Sequence, residues 1–224
     1  MTAVLVLCAL DAELGSLRSA VRARRHVQGL EILEIDVRGE CVRACVGGIG
    51  KVRAAHAAAV LLAGGPARAL LVVGTCGGLV RELVPGTLVH ATSAIQTDLA
   101  TREGRENSSD SRVRAAWIRA APGVEARFLT ADRPVFSPWR RLRLARAFPG
   151  PCVAEMETAA AAAVAARAGV PWASARAVTD QASLFAAREL RTHFETCAGL
   201  AADTVANLIA SEGFPALASR NSPR

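Results

Sequence analysis

The sequence predicts an α/β fold whose strands are buried on both faces of a sheet and separated by helices. Short, wholly apolar segments such as 4–10 and 70–73 alternate with helix-like segments along the 224 residues. Glycine, proline or acidic residues close most of the apolar segments, as Gly74, Pro171 and Asp180 do. No internal repeat or linker divides the chain, so one domain is expected over residues 1–212, with a frayed tail at 213–224.

Taken in order, residues 3–9 read as a buried strand and 12–24 as a helix. Apolar alternation across 30–37 and 41–47 predicts a hairpin around Arg38-Gly39-Glu40. A helix over 50–63 is stopped by Gly64-Gly65-Pro66. Residues 70–73 form a short apolar strand ending in Gly74-Thr75-Cys76-Gly77-Gly78, whose glycines suit tight strand-to-helix turns. A strand at 87–95 leads into the polar stretch 96–110, expected to be a mobile loop. Then come a helix at 111–121, a strand at 126–130 and a basic helix at 139–148. Strands at 152–154 and 173–178 flank an alanine-rich helix, and an amphipathic helix covers 189–210. A sheet of this kind is expected to be largely parallel, with ligands beyond the carboxyl ends of its strands.

Composition excludes several function classes. Hydrophobic residues make up 51% of the chain, well outside the disordered range. The formal charge of +7 raises the question of nucleic acid. Lys51 is the only lysine, however, and the arginines are scattered apart from Arg140, Arg141, Arg143 and Arg146. With no tyrosine and 6 phenylalanines, platforms for stacking bases are scarce, so no nucleic-acid partner is expected. Six cysteines without a CxxC pair read as small buried hydrophobes, kept reduced in a cytoplasmic protein. The histidines at 26, 56, 90 and 193 lack zinc-ligand spacing, so no metal is expected. The apolar run 4–10 is too short to span a membrane and has no basic region before it.

The strand ends hold the chemistry. They read Asp11-Ala12-Glu13, Gly47-Gly48-Ile49-Gly50-Lys51, Gly74-Thr75-Cys76, Thr130-Ala131-Asp132, Glu155-Met156-Glu157 and Thr179-Asp180. Gly50-Lys51 is not a phosphate loop, because position 45 is Cys and position 52 is Val where that motif needs Gly and Ser or Thr. Glu155 and Glu157 are either helix N-terminal acids or acceptors for sugar hydroxyls. Glu13 is either a general base or a first-turn acid. Asp180 is either a loop cap or a proton donor; burial raises an aspartic acid toward that use. Arg176 precedes it by four residues, about 13 Å along a strand, and need not pair with it.

In combination, Ala9-Leu10-Asp11-Ala12-Glu13, Gly48-Ile49-Gly50-Lys51-Val52, Gly74-Thr75-Cys76-Gly77-Gly78-Leu79, Glu155-Met156-Glu157-Thr158 and Arg176-Ala177-Val178-Thr179-Asp180 resemble the nucleoside phosphorylase/nucleosidase superfamily. The branch most resembled is that of 5′-methylthioadenosine/S-adenosylhomocysteine nucleosidase, over residues 3–210. The resemblance implies a single-domain mixed twisted sheet forming a distorted barrel flanked by helices, usually a homodimer, with no cofactor. It implies that Glu13 activates water with help from Arg176, and that Asp180 protonates purine N7. Glu157 would hold the ribose, with Met156 against the sugar, Thr75 and Glu155 nearby, and Val135 lining the base. Purine release from a small-molecule nucleoside in methionine salvage is the activity so implied.

The chain departs from that pattern around the base and the 5′ position. Asp132-Arg133-Pro134-Val135 lacks the aromatic residue usual in the base-lining segment. Gln181-Ala182-Ser183-Leu184-Phe185 is shorter and less acidic than the usual loop, and 96–110 lacks aromatics. A different 5′ substituent, of adenosylhopane or futalosine type, is therefore an alternative. So is phosphorolysis within the same superfamily, although Glu13 would repel an anion. A non-catalytic nucleoside-binding protein is the alternative of another class.

Overall fold

The computed structural model describes residues 2–211 and 214. Strand β1 (Ala3–Cys8) is buried along its whole length. Because side chains alternate across a strand, Ala3, Leu5 and Leu7 join one core and Val4, Val6 and Cys8 the other. That two-sided burial is why β1 reads as an uninterrupted apolar run.

The expected helix over 12–24 is replaced by two elements. Asp11–Ala20 is a 3₁₀ segment broken at Gly15, and Val21–Val27 is strand β2. Six of the seven β2 residues are exposed, so no apolar period marks the strand in the sequence. Its pairing with β3 (Leu30–Val37) decides the conformation. The arginines it displays also discourage another chain from adding to this outer strand. The predicted hairpin follows as β3 and β4 (Glu40–Val46), and helix α1 spans Lys51–Ala63.

Strand β5 runs from Ala67 to Gly78, 12 residues rather than the short segment expected. The stretch Gly74-Thr75-Cys76-Gly77-Gly78 continues the strand instead of turning out of it. Next come β6 (Leu88–Gln96), β7 (Glu106–Ser108), α2 (Ser111–Ala120) and β8 (Val124–Thr130). The chain continues through α3 (Pro138–Ala147), β9 (Cys152–Glu155), α4 (Thr158–Arg167), β10 (Trp172–Asp180) and α5 (Ala186–Ala210). Part of the stretch expected to be a mobile loop is tied down: β7 pairs with β6, and the Ser109 hydroxyl donates to the Ala91 carbonyl at 2.6 Å.

Among the described residues all ten strands belong to one sheet. Strand β10 pairs with both β5 and β6, and β6, β8, β9 and β5 complete a closed five-stranded ring. Outside the ring β1, β4, β3 and β2 continue from β5 as an open extension. Five of the ten pairings are parallel and five antiparallel, so the sheet is mixed rather than largely parallel. Register shifts at Ala91/Ser93 and Val178/Asp180 supply the local bends that a closing sheet requires.

Helices α1 and α4 cover one face, where Ala57, Ala58, Ala161 and Ala165 are buried. Their methyl side chains let the two helices lie close together over the sheet. Helices α2 and α5 and the 3₁₀ segment cover the other face, around Leu14, Trp117 and Val205. The buried Trp117 keeps its polar atom satisfied, Nε1 donating to the Thr204 carbonyl at 3.1 Å. Among the described residues no helix is long and apolar enough to cross a membrane. The tail expected at 213–224 lies outside the described residues except for Phe214, which is buried beneath the Arg68 guanidinium.

Candidate active site

The carboxyl ends of β1, β5, β9 and β10, together with α3 and α5, enclose a cavity of about 480 Å³. Glu13, Thr75, Val135, Glu155, Met156, Glu157, Arg176 and Asp180 all line it. The sequence-predicted residues, drawn from five separate stretches of chain, therefore share one space.

Glu13 sits where the chain leaves β1 and is only 2% exposed. Its Oε2 accepts the backbone N–H groups of Ala9 and Leu10 at 2.9 and 3.0 Å. Its Oε1 accepts the Thr75 N–H at 3.0 Å and the Thr75 hydroxyl at 3.3 Å. Gly74 makes this possible. A Cβ there would stand 2.6 Å from Glu13 Oε1, so the glycine provides room for a carboxylate rather than a turn.

Glu155 and Glu157 differ in how the protein occupies them. Glu155 Oε1 accepts the Thr130 hydroxyl. Its Oε2 accepts the N–H groups of Glu157 and Thr158 at 2.9 and 2.7 Å, and the Thr158 hydroxyl at 2.9 Å. This carboxylate thus closes the N-terminus of α4, and its acceptor capacity is filled by protein donors. Among the described residues Glu157 Oε1 accepts only the Gly50 N–H at 3.0 Å, and Oε2 accepts Arg176 Nη2 at 3.0 Å. An ionised carboxylate accepts about four hydrogen bonds, so Glu157 retains room for two more.

Arg176 joins these groups. Its Nη2 lies 3.0 Å from both Glu155 Oε2 and Glu157 Oε2, and its Nη1 donates to the Thr75 carbonyl at 2.7 Å. Contact with Glu13 runs through Thr75, whose carbonyl binds the arginine while its N–H binds the glutamate. Burial alone would lower the guanidinium's pKa, but Glu155, Glu157 and Glu13 outweigh it and hold the group charged. Burial raises the pKa of Glu157; Arg176 opposes the rise and Glu155 adds to it.

Asp180 ends β10 on the same cavity, 5% exposed. The Thr179 hydroxyl donates to its Oδ2 at 2.8 Å and the Ala182 N–H to its Oδ1 at 2.9 Å. Burial nevertheless pushes its pKa above the ordinary aspartate value, with a further contribution from Glu189. Arg176, engaged with the glutamates, makes no ion pair with it among the described residues.

Sequence reasoning missed the wall contributed by α5, where Leu190, Arg191, Phe194 and Glu195 face the cavity. The repeat of apolar and charged residues at four-residue spacing, just after Asp180, was the available signal. It also missed Arg140 and Leu144 from α3.

Several known proteins share this arrangement of elements. A 5′-methylthioadenosine/S-adenosylhomocysteine nucleosidase from Shewanella baltica is 28% identical over 197 residues, 80% of this chain and 84% of that protein. The nucleosidase of the same name from Neisseria meningitidis, in complex with methylthio-immucillin-A, superposes with a TM-score of 0.87 at 24% identity. That match covers 93% of this chain and 99% of the other. Futalosine hydrolase from Helicobacter pylori superposes with a TM-score of 0.88 at 20% identity, covering 93% and 97%. The family model of the phosphorylase superfamily matches residues 3–211, which carry every element lining the cavity, and this chain belongs to that superfamily.

Proposed function

We propose that the protein hydrolyses the N-glycosidic bond of a 5′-substituted adenosine, of methylthioadenosine or S-adenosylhomocysteine type. The observation that carries this reading is the division of labour among the buried acids of one cavity. At one wall Asp180 has its pKa raised by burial. Elsewhere on the cavity three glutamates, Glu13, Glu155 and Glu157, gather about the single arginine Arg176.

The chemistry follows from that division. Protonated Asp180 donates to purine N7 as the C1′–N9 bond breaks, and the bonding electron pair leaves with the base. Positive charge developing on the ribose is stabilised by the glutamate cluster. Glu157, with acceptor room left, holds the ribose hydroxyls, and Met156 packs against the sugar. Glu155 keeps the turn and Arg176 in place. Water attacks C1′ and yields its proton to Glu13. Of the four donors on Glu13, the Thr75 hydroxyl is the most distant, and it is the one that water replaces. Val135 lines the base beside the backbone of Arg133 and Pro134. We further propose that the protein is a cytoplasmic homodimer acting in methionine salvage.

Hydrolysis is favoured over phosphorolysis because Glu13, which lines the cavity at the end of β1, would repel an anion, and the lysine near the strand ends is already neutralised. Lys51 Nζ lies 2.6 Å from Asp98 Oδ1 and 4.0 Å from Asp132 Oδ2. A panel of 5′-substituted adenosines and inosines, assayed for base release with and without phosphate, tests the proposal. Release independent of phosphate is expected; strict phosphate dependence overturns hydrolysis, and binding without turnover overturns the enzyme itself. A futalosine- or adenosylhopane-type substrate is the second reading. It is favoured by Arg191 and Glu195, two charged side chains that the α5 wall presents to the cavity.

A further inference from the structure

Helix α1 begins without a cap of its own: its N-cap is Gly50, at φ 101, which has no side chain to accept from the first turn. Carboxylates from two other strand ends fill the need. Glu157 Oε1 accepts the Gly50 N–H at 3.0 Å, and Asp132 Oδ1 accepts the Lys51 N–H at 2.9 Å. Both lie where the positive end of the helix dipole favours them. A Cβ at residue 50 would stand 3.4 Å from Asp132 Oδ1, in a backbone conformation that side chains rarely adopt.

The Lys51 side chain then closes a circuit. Its Nζ donates to Asp98 Oδ1 at 2.6 Å and to Gln96 Oε1 at 3.4 Å, and lies 4.0 Å from Asp132 Oδ2. Asp98 Oδ2 in turn accepts the Asp132 N–H at 3.1 Å. Lys51 is largely buried there, its side chain 17% exposed. The circuit thus ties the end of β6, the end of β8 and the start of α1 together at the cavity. One of its exits is Gly50, which fixes Glu157. The other is Asp132, which begins the segment Asp132-Arg133-Pro134-Val135 against the base.

We propose that Lys51, Asp98 and Asp132 are positioning residues that hold the ribose acceptor Glu157 in register with the base-lining segment. The inference rests on the cavity's being a nucleoside site. None of the three needs to touch the reacting atoms; they act through Gly50 and through the backbone after Ala131. Register between two half-sites matters only to a ligand that spans both. A nucleoside spans them, and a free purine base does not.

The test is direct binding of an unreactive 5′-methylthioadenosine analogue and of adenine, by calorimetry, to wild type, Lys51→Met, Lys51→Arg and Glu157→Gln. Lys51→Met is expected to weaken the analogue roughly tenfold, within the range of measured coupling energies, while adenine binding is unchanged. Lys51→Arg, which keeps the charge, should recover part of the loss. In a Glu157→Gln background the Lys51→Met effect should largely vanish, because the lysine acts through that carboxylate. Unchanged analogue affinity in Lys51→Met, equal losses for analogue and adenine in a variant that melts as wild type does, or full additivity with Glu157→Gln would each overturn the proposal. Thermal melting of each variant separates a fold defect, which lowers both affinities, from lost register. Wild type that binds neither ligand overturns the nucleosidase reading itself, a result distinct from the three above.

Discussion

Asp180 meets two requirements that ordinarily conflict. It is buried enough for its carboxyl to sit above the usual range, and it is hydrogen-bonded by Thr179 and Ala182 firmly enough to keep one orientation. Asp180→Asn keeps the shape and removes the transferable proton. Its kcat should fall by about 10²–10⁴-fold, the usual contribution of a general acid, with little change in binding of an unreactive analogue. In wild type the rate should decline as pH rises through a pKa above the ordinary aspartate value, because only the protonated form donates. Initial rates across pH check this, and an Asp180→Asn profile with the same inflection would remove the assignment. Gly74 offers a second test: an added methyl meets Glu13 Oε1 at 2.6 Å and its carboxyl carbon at 2.9 Å. Gly74→Ala should therefore displace the carboxylate and cost as much turnover as Glu13→Gln; wild-type turnover in Gly74→Ala would refute the crowding. In the sequence this glycine looks like a turn residue, because nothing local reveals a carboxylate arriving from residue 13.

Among the elements, legibility depended on how much of the structural decision was local. Helix α2 announces its start: Asp110 accepts the N–H groups of Arg112 and Val113 at 2.9 and 3.1 Å. Asp110→Ala should cost about 1 kcal/mol, read as a lowered denaturation midpoint. Strand β2 was illegible because its side chains face solvent and only pairing with β3 makes it a strand. Strand β6 carries a different kind of hidden information in His90, which is fully buried, with Nε2 2.8 Å from the Ala121 carbonyl. Burial lowers its pKa, so the folded protein keeps it neutral. Below about pH 6.5, the ordinary histidine value, the unfolded chain takes up a proton that the folded chain refuses. The associated stability is complete above that pH and declines as pH falls toward the folded pKa. Urea midpoints between pH 7 and 5, on the approximate scale set by that value, should fall more steeply in wild type than in His90→Gln; parallel slopes would discount the histidine.

The molecule as a whole is organised by ring closure. Strand β5 pairs with β1, β9 and β10, and β10 pairs along it from Trp172 to Asp180. This places Thr75 opposite Ala177 and brings Gly77 beside Asp180, so the two halves of the site are in register before any ligand arrives. Because β5 joins the ring to the extension and β10 is paired on both sides within the ring, with helices over both faces, their central amides should exchange slowest with solvent. Hydrogen-exchange mass spectrometry checks this, with the outer strand β2 expected among the fastest regions. Equal protection in β2 and β10 would contradict it. Parallel and antiparallel pairings in equal number were not foreseeable from apolar runs, since a strand buried on both faces looks alike in either sense.

By itself the sequence determined the α/β class, most element positions and the acids at the strand ends. These are matters of local pattern: apolar period, glycine and proline stops, and acidic residues where a buried strand stops. It also separated Arg176 from Asp180, because four residues of strand span more than an ion pair can. Tertiary structure alone decided how many protein donors each acid meets. Glu155 and Glu157 are nearly indistinguishable in sequence, yet one is saturated by Thr130, Thr158 and the α4 backbone while the other keeps acceptor room toward the cavity. A carboxylate's chemistry depends on how many donors reach it and how much water is excluded. Those donors come from residues as distant in sequence as Gly50 and Glu157, so only the closed fold could set them.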